Sequence, residues 1–449
     1  MKKYSDKYEK MAQAPVKPLI VSLAVPTIIT MLVTAVYNMA DSFFVGRIDT
    51  TSVASIGIVF SVMTLLQALG FFLGHGSGIM MSSMLGAKET EKAKKYANTA
   101  FFLAFALGTL LAVIGVFTSK GIAYLLGATE TTVVPASEYL RIILIGAPFI
   151  LTSFVLNNHL RYQGSAVYSM AGIMSGSILN IALDPLFIFK FNLGVKGAAI
   201  ATVISQFTGF IILILGTFKN QNIRLGFRYF SPTKEICLNI FKNGLPSLSR
   251  QGVMTIGNIC LNFASGQFGD AAVAGMSVFN RVMFLGMAVI IGIGQGFQPV
   301  CAFNYGAKNY GRVYDGYKFT AALPTVFITL FAVVCFIFAP YIISLFRDDP
   351  EVIKFGSLAL RADCVIMPVT GYYMSTNMLI QSIRMPAVAT VLAIARQGLF
   401  YIPLILILPR LFGENGLAFT QAVCDLLSFI LSIILATPII KKLKTDSSS

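Results

Sequence analysis

Two acids stand inside long apolar runs, and their neighbours make them candidates for holding a small cation. Asp41 comes late in the stretch Pro26-Thr-Ile-Ile-Thr-Met-Leu-Val-Thr-Ala-Val-Tyr-Asn-Met-Ala-Asp41, with Thr34, Tyr37 and Asn38 at helical spacing from it. Asp184 closes Asn180-Ile-Ala-Leu-Asp184-Pro185, where Asn180 and Asp184 are four residues apart and share a helix face. Pro185 has no N–H for the carbonyl of Ile181, which leaves a free acceptor at membrane depth. Thr202, in Gly197-Ala-Ala-Ile-Ala-Thr202, offers a hydroxyl. Two carboxylates, an amide oxygen and a hydroxyl form a hard-oxygen set suited to H⁺ or Na⁺. An acid at the centre of a span costs roughly 2.5–3.5 kcal/mol on insertion scales, so its default reading is functional. Each residue also has a bland alternative. Asp41 could end its span at headgroup level, Thr202 could bond its own i−4 carbonyl, and Asn180 a neighbouring helix.

The elements that must position these groups are membrane helices. Of 449 residues, 56% are hydrophobic and only 12% charged, too few charges for an ordinary soluble protein. Apolar runs near the length of a bilayer crossing recur at about 17–42, 53–76, 93–117, 136–158, 167–189, 197–217, 240–263, 271–299, 319–345, 355–381, 387–408 and 416–438. The reading is an all-α polytopic membrane protein of twelve transmembrane helices. No cleavable signal peptide opens it. The net charge of +15 does not point to nucleic acid. With the N-terminus inside, 22 of the 34 Lys and Arg fall in cytoplasmic segments, seven outside and five in or near spans. That is the positive-inside pattern for a multi-pass inner-membrane protein with both termini cytoplasmic, its basic surplus facing anionic lipid. Six cysteines without a Cys-x-x-Cys pair read as small buried hydrophobes. A P-loop is excluded because Gly-Lys never occurs. Two separated histidines and scattered cysteines offer no nucleophile–base or metal cluster, so an enzyme is not expected, nor any cofactor beyond a coupling ion.

The chain is internally duplicated. At an offset of 220, Pro26 aligns with Pro246, Asn38 with Asn258, Gly46 with Gly266, Gly86-Ala-Lys88 with Gly306-Ala-Lys308, Arg141 with Arg361, Pro148 with Pro368 and Asn157 with Asn377. Gly194 and Gly197 match Gly413 and Gly416 at 219. Six spans per copy give both halves one orientation, a parallel repeat of the kind that alternates access between two bundles. The expected organisation is a cytoplasmic lead over 1–16, a first lobe over 17–217, a cytoplasmic linker over 218–238, a second lobe over 239–440 and a tail over 441–449. Asp41 aligns with Leu261 and Asp184 with Leu404, so the deep acids are expected in the first half alone.

Other polar groups in the spans carry less. Asp425 falls late in the last span, Arg141 and Arg361 suit snorkelling or capping, and Arg281 and Arg396-Gln397 could line a cavity or bond backbone carbonyls. His75 reads as a hydrogen-bonded side chain near the membrane face or as part of a proton relay. Gln67, Gln163 and Gln295 are polar without a pattern.

Asp41 followed by Phe-Phe-Val-Gly46, Gly86-Ala-Lys88, Asn180-x-x-x-Asp184-Pro185, Gly194-Val-Lys-Gly197, Gln295-Gly-Phe-Gln-Pro299 and Asn304-Tyr-Gly306-Ala together resemble the multidrug and toxic compound extrusion (MATE) family, in its bacterial MepA-like branch. The resemblance spans nearly the whole chain. It implies two V-shaped lobes of six helices and export of organic cations against H⁺ or Na⁺. It also implies a first-lobe ion site at Asp41, Asn180, Asp184 and Thr202, with Asn157 as a further polar neighbour. The chain departs from relatives that carry a span-7 Glu and a span-10 Asp. Here those stretches read Ser247-Leu-Ser-Arg250-Gln-Gly-Val-Met and Thr370-Gly-Tyr-Tyr-Met-Ser-Thr, without an acid.

The expected function is therefore a cation-coupled antiporter, working as a monomer in the lipid bilayer and exporting amphipathic organic cations and drugs by alternating access. Moving one charge down ~100 mV supplies about 2.3 kcal/mol, enough for a roughly fifty-fold gradient. The substrate cleft is expected at Thr34, Tyr37, Asn38, Phe154, Gln206, Met276, Phe279 and Asn280, where aromatic and thioether faces suit varied cations. Ion capture would bend or shift span 1 near Pro26. The alternative is a flippase for a lipid-linked precursor, which would want deep cationic groups such as Arg250 and Arg281.

Overall fold

Lipid offers the backbone no hydrogen-bond partners, so apolar runs of this length close their bonds within helices. The computed structural model describes residues 7–48 and 50–446. The first six residues of the expected lead and the last three of the expected tail lie outside them. The helices are α1 (Lys7–Gln13), α2 (Val16–Val45), α3 (Thr50–Gly86), α4 (Thr90–Leu125), α5 (Val133–Ile145), α6 (Ala147–Tyr162), α7 (Ala166–Pro185), α8 (Gly194–Thr217), α9 (Lys234–Gly266), α10 (Asp270–Gly306), α11 (Tyr310–Ser344), α12 (Pro350–Ser382), α13 (Pro386–Ile394) and α14 (Tyr401–Asp446). Each of the twelve expected spans falls on helix. α5 and α6 form one span bent by 52°. α14 is two helices meeting at Gly413, whose φ of 59° breaks the ladder. Among the described residues, eight helices qualify as crossings by length and apolarity, or nine with the bent pair. α9 and α12 fall short because they carry polar groups such as Lys242, Arg250, Lys354, Arg361 and Asp363.

The backbone repeats as the sequence does. Lys88 and Lys308, equivalent across the halves, both turn left-handed (φ 62° and 58°) to end α3 and α10. Gly164 and Arg384 do the same after α6 and α12 (φ 80° and 62°). Asn157 and Asn377 make the same contact. Asn157 Nδ2 donates to Ser169 Oγ at 2.6 Å and to the Ser169 carbonyl at 3.3 Å, while Asn377 Nδ2 donates to the Ala389 carbonyl at 2.9 Å. Ser169 and Ala389 are themselves 220 apart.

The chain divides into two compact units that do not follow one cut point. One comprises Met1–Gln13 and Ile29–Gly244, the other Ala14–Ile28 and Leu245–Ser449. The first half of α2 thus belongs with the second unit and the first part of α9 with the first unit. The changeovers fall within three residues of Pro26 and Pro246, the equivalent prolines inside those helices. A helix-interior proline removes one rung of the ladder, which suits a helix serving two bodies.

Close backbone approach docks each exchanged half-helix. In the first unit a methyl group on Gly76 would collide with the Ile240 carbonyl and the Gly244 backbone. In the second, a methyl on Gly296 would lie 2.5 Å from Ala24 N. Gly76 and Gly296 are repeat equivalents, as are Gly244 and Ala24, so one small-residue seat is used twice. Gly76→Val and Gly296→Val should each lower unfolding stability by about 1–3 kcal/mol through overpacking. Gly57→Ala, with open space around it, should cost nothing in the same thermal-unfolding assay. Equal tolerance at all three positions would rule out the seats.

Candidate functional site

α7 and α8 approach closely because both present glycine at their crossing. A methyl on Gly176 would lie 2.9 Å from the Ser205 carbonyl, and one on Gly209 2.9 Å from the Gly172 carbonyl. One turn further along α7, this approach sets Asn180 opposite Thr202, both 1% exposed. With its amide nitrogen turned to the acid, Asn180 Nδ2 donates to Asp184 Oδ2 at 2.9 Å, and its oxygen accepts from Thr202 N–H at 3.3 Å. The Thr202 hydroxyl donates to the Ala198 carbonyl at 2.9 Å. Asp184 is fully buried. Directly after Pro185 the helix widens into a π-turn, Leu186–Lys190, and π-turns recur at functional sites.

Asp41 joins this group within the first unit. Its charge is felt at Asp184, and both carboxylates act on the phenol of Tyr37, one helical turn before Asp41. Asp41 Oδ1 is buried and has no hydrogen-bond partner among the described residues. A further phenol, Tyr139 of α5, lies within electrostatic reach of Asp41, Tyr37 and Asp184, and its hydroxyl donates to Met63 Sδ at 3.9 Å. Sequence reasoning did not single out Tyr139, since a tyrosine early in an apolar span resembles an interface anchor. Four of the expected ion-site residues thus converge, with two phenols beside them.

Asn157 is engaged elsewhere, in the α6–α7 contact that its equivalent Asn377 repeats. The expected cleft residues fall in different settings. Tyr37 lies in the acidic cluster, and Thr34 bonds the Thr30 carbonyl at 2.8 Å. Asn38 and Asn280 are exposed, and Gln206 is half-buried. Phe154 packs on Phe71 at 5.1 Å between ring centres. Met276 and Phe279 sit within the apolar core of the second unit. Both histidines are buried in the first unit. His159 Nε2 lies 2.7 Å from Ser77 Oγ, and His75 Nε2 lies 3.4 Å from Arg161, which bonds Asn158 at 2.5 Å.

One expectation fails. Deep acids are not confined to the first half, because Asp363 of α12 and Asp425 of α14 are 0% and 2% exposed in the second unit. Asp425 is paired with Arg396, Nε to Oδ1 at 2.7 Å and Nη2 to Oδ2 at 2.9 Å. Repeat comparison asks only whether acids of one half recur in the other, so it passes over an acid at a new position. Asp363 lies two residues beyond Arg361, where it resembles the polar start of a span.

Comparison with known proteins agrees with this architecture. The chain is 28% identical over 439 residues, 97% of each chain, to the multidrug export protein MepA of Staphylococcus aureus (strain MRSA252). A solved outward-facing multidrug resistance MATE family transporter of the MOP superfamily matches with TM-score 0.92 and 27% identity, covering 99% of this chain and all of that one. A MATE structure in the bent conformation matches with TM-score 0.91 and 27% identity over the whole of both chains. The MatE family model matches residues 26–186 and 246–407, two blocks that begin at the equivalent prolines. On fold, duplication and family match together, the chain belongs to the MatE family and is a multi-pass membrane transporter.

Proposed function

We propose that this transporter exports amphipathic organic cations and drugs by alternating access, in exchange for H⁺ or Na⁺ taken up at Asp41, Asn180, Asp184 and Thr202. The observation that carries this reading is Asp41 Oδ1, buried with no hydrogen-bond partner among the described residues, together with the fully buried Asp184. A carboxylate so placed is relieved by a proton or by a small hard cation. The oxygens of both acids, the Asn180 amide and the Thr202 hydroxyl fit either ion. The export of several drugs is taken from the name of the S. aureus relative.

Exchange follows from competition for charge. With both carboxylates ionised, the cluster attracts an organic cation toward Tyr37 and its neighbours. Ion capture removes that attraction and alters the packing of α2 beyond Pro26, where the helix passes from one compact unit to the other. The chain would act as a monomer in the inner membrane with both termini cytoplasmic, its repeat lobes at 17–217 and 239–440 joined by a cytoplasmic 218–238. Nothing in the site favours the flippase alternative, whose candidate Arg281 is exposed. We assign Asn157 to helix packing rather than to the ion site, because its contact is duplicated.

Efflux of ethidium from proteoliposomes, with pH and Na⁺ gradients imposed separately, tests the site. Asp41→Asn and Asp184→Asn should each reduce gradient-driven efflux at least about ten-fold, the scale of one lost charge interaction of ~1.4 kcal/mol. Coupled efflux at wild-type rate in both variants would remove the cluster from the mechanism. Asn157→Ala and Asn377→Ala should lose similar stability, about 1–3 kcal/mol, with the ion dependence of transport unchanged. A changed ion dependence in the Asn157 variant alone would return that residue to the site.

A further inference from the structure

The second unit holds two buried carboxylates and one guanidinium whose hydrogen bonds are distributed very unequally. Asp425 accepts four, from Arg396 Nε and Nη2 at 2.7 and 2.9 Å, from Gln421 Nε2 at 2.7 Å and from Thr370 Oγ1 at 3.0 Å. Asp363 is 0% exposed, and neither carboxyl oxygen has a partner among the described residues. Yet Asp363 lies within electrostatic reach of both Asp425 and Arg396. Arg396 sits on a second π-turn, Ala395–Leu399, where a helix can shift its register. The other titratable groups around the cluster are Tyr373 and Cys364 on α12, Cys335 on α11, Tyr401 and Cys424 on α14, and Arg250 and Cys260 on α9. None belongs to the Asp41–Asp184 group. The repeat supplies no copy, since Asp363 aligns with Ile143 and Arg396 with Gly176.

From this geometry we propose that Asp363 is a second proton-binding site of the transporter, with the Asp425–Arg396 pair as its switchable neighbour. Arg396 neutralises one carboxylate, and two of its N–H donors are spent on Asp425. The other carboxylate has no donor among the described residues, so a proton on Asp363 restores neutrality to the group. Loss of that proton to a base in solution leaves two carboxylates competing for one guanidinium and draws Arg396 away from Asp425. Na⁺ is disfavoured because the guanidinium of Arg396, within electrostatic reach of Asp363, repels it. The proposal stands on burial and pairing in the second unit, so it is independent of the coupling assigned to the first.

Infrared difference spectroscopy of the full-length protein in lipid reads the proton directly. A carbonyl stretch of a protonated carboxyl group should be present at neutral pH and decline as pH rises. It should persist in the Asp41→Asn/Asp184→Asn double variant, and in that background it should be lost on adding Asp363→Asn and move in frequency with Asp363→Glu. A band that survives Asp363→Asn in that background, fails to titrate, or disappears on adding Na⁺ at fixed pH overturns the proposal. Thermal unfolding gives a second reading. Asp363→Asn copies a neutral acid and should unfold near the wild-type temperature, whereas Asp425→Asn strips Arg396 of its charge partner and should unfold several degrees lower. Equal loss in both variants would make Asp363 an ionised structural partner and overturn it too.

Discussion

A carboxylate among membrane-crossing helices must find a donor, a counter-charge or a neutralising ion, and this requirement governs where the polar residues of the chain sit. Asp184 is met by Asn180, on its own helix face. Asp425 is met by Arg396, Gln421 and Thr370. Among the described residues, one oxygen of Asp41 and both oxygens of Asp363 have no hydrogen-bond partner. In each unit one acid is thus provided for and another is not.

The packing around these acids is made of small residues for a related reason. Glycines at the α7–α8 crossing let two backbones come close enough for Asn180 to meet Thr202 and still reach Asp184. A side chain there would separate the helices and leave both amide and acid unmatched in an apolar medium, where an unmet polar group is most costly. The seats at Gly76 and Gly296 apply the same device to the exchanged half-helices. Without a hydrophobic drive between helices in lipid, close packing and hydrogen bonds hold the bundle together. Motion can then be concentrated at positions such as Pro26 and Pro246, where a ladder bond is already missing.

Duplication also separates structural from functional polarity. Asn157 and Asn377, Lys88 and Lys308, and Gly76 and Gly296 recur with the same geometry in both halves, as expected of parts that hold a fold. The acidic groups do not recur. Each half has drawn its own from positions that are apolar or small in the other.

Sequence alone determined the helical membrane architecture, the repeat and the shared helix face of Asn180 and Asp184. Apolar length, i,i+4 spacing and an offset of 220 are local or one-dimensional properties, and a bilayer leaves the backbone few other choices. The tertiary structure decided what depends on neighbours distant in the chain. It showed that Asn157 bonds Ser169, that Tyr139 lies within electrostatic reach of Asp41 and Asp184, that the first half of α2 belongs with the second unit, and that Asp363 is fully buried within electrostatic reach of an Asp425–Arg396 pair. The charged neighbours of Asp363 come from residues 33 and 62 positions further on, and no periodicity links them. Whether such an acid ends a span or lies within the bundle is set by helix rotation and packing.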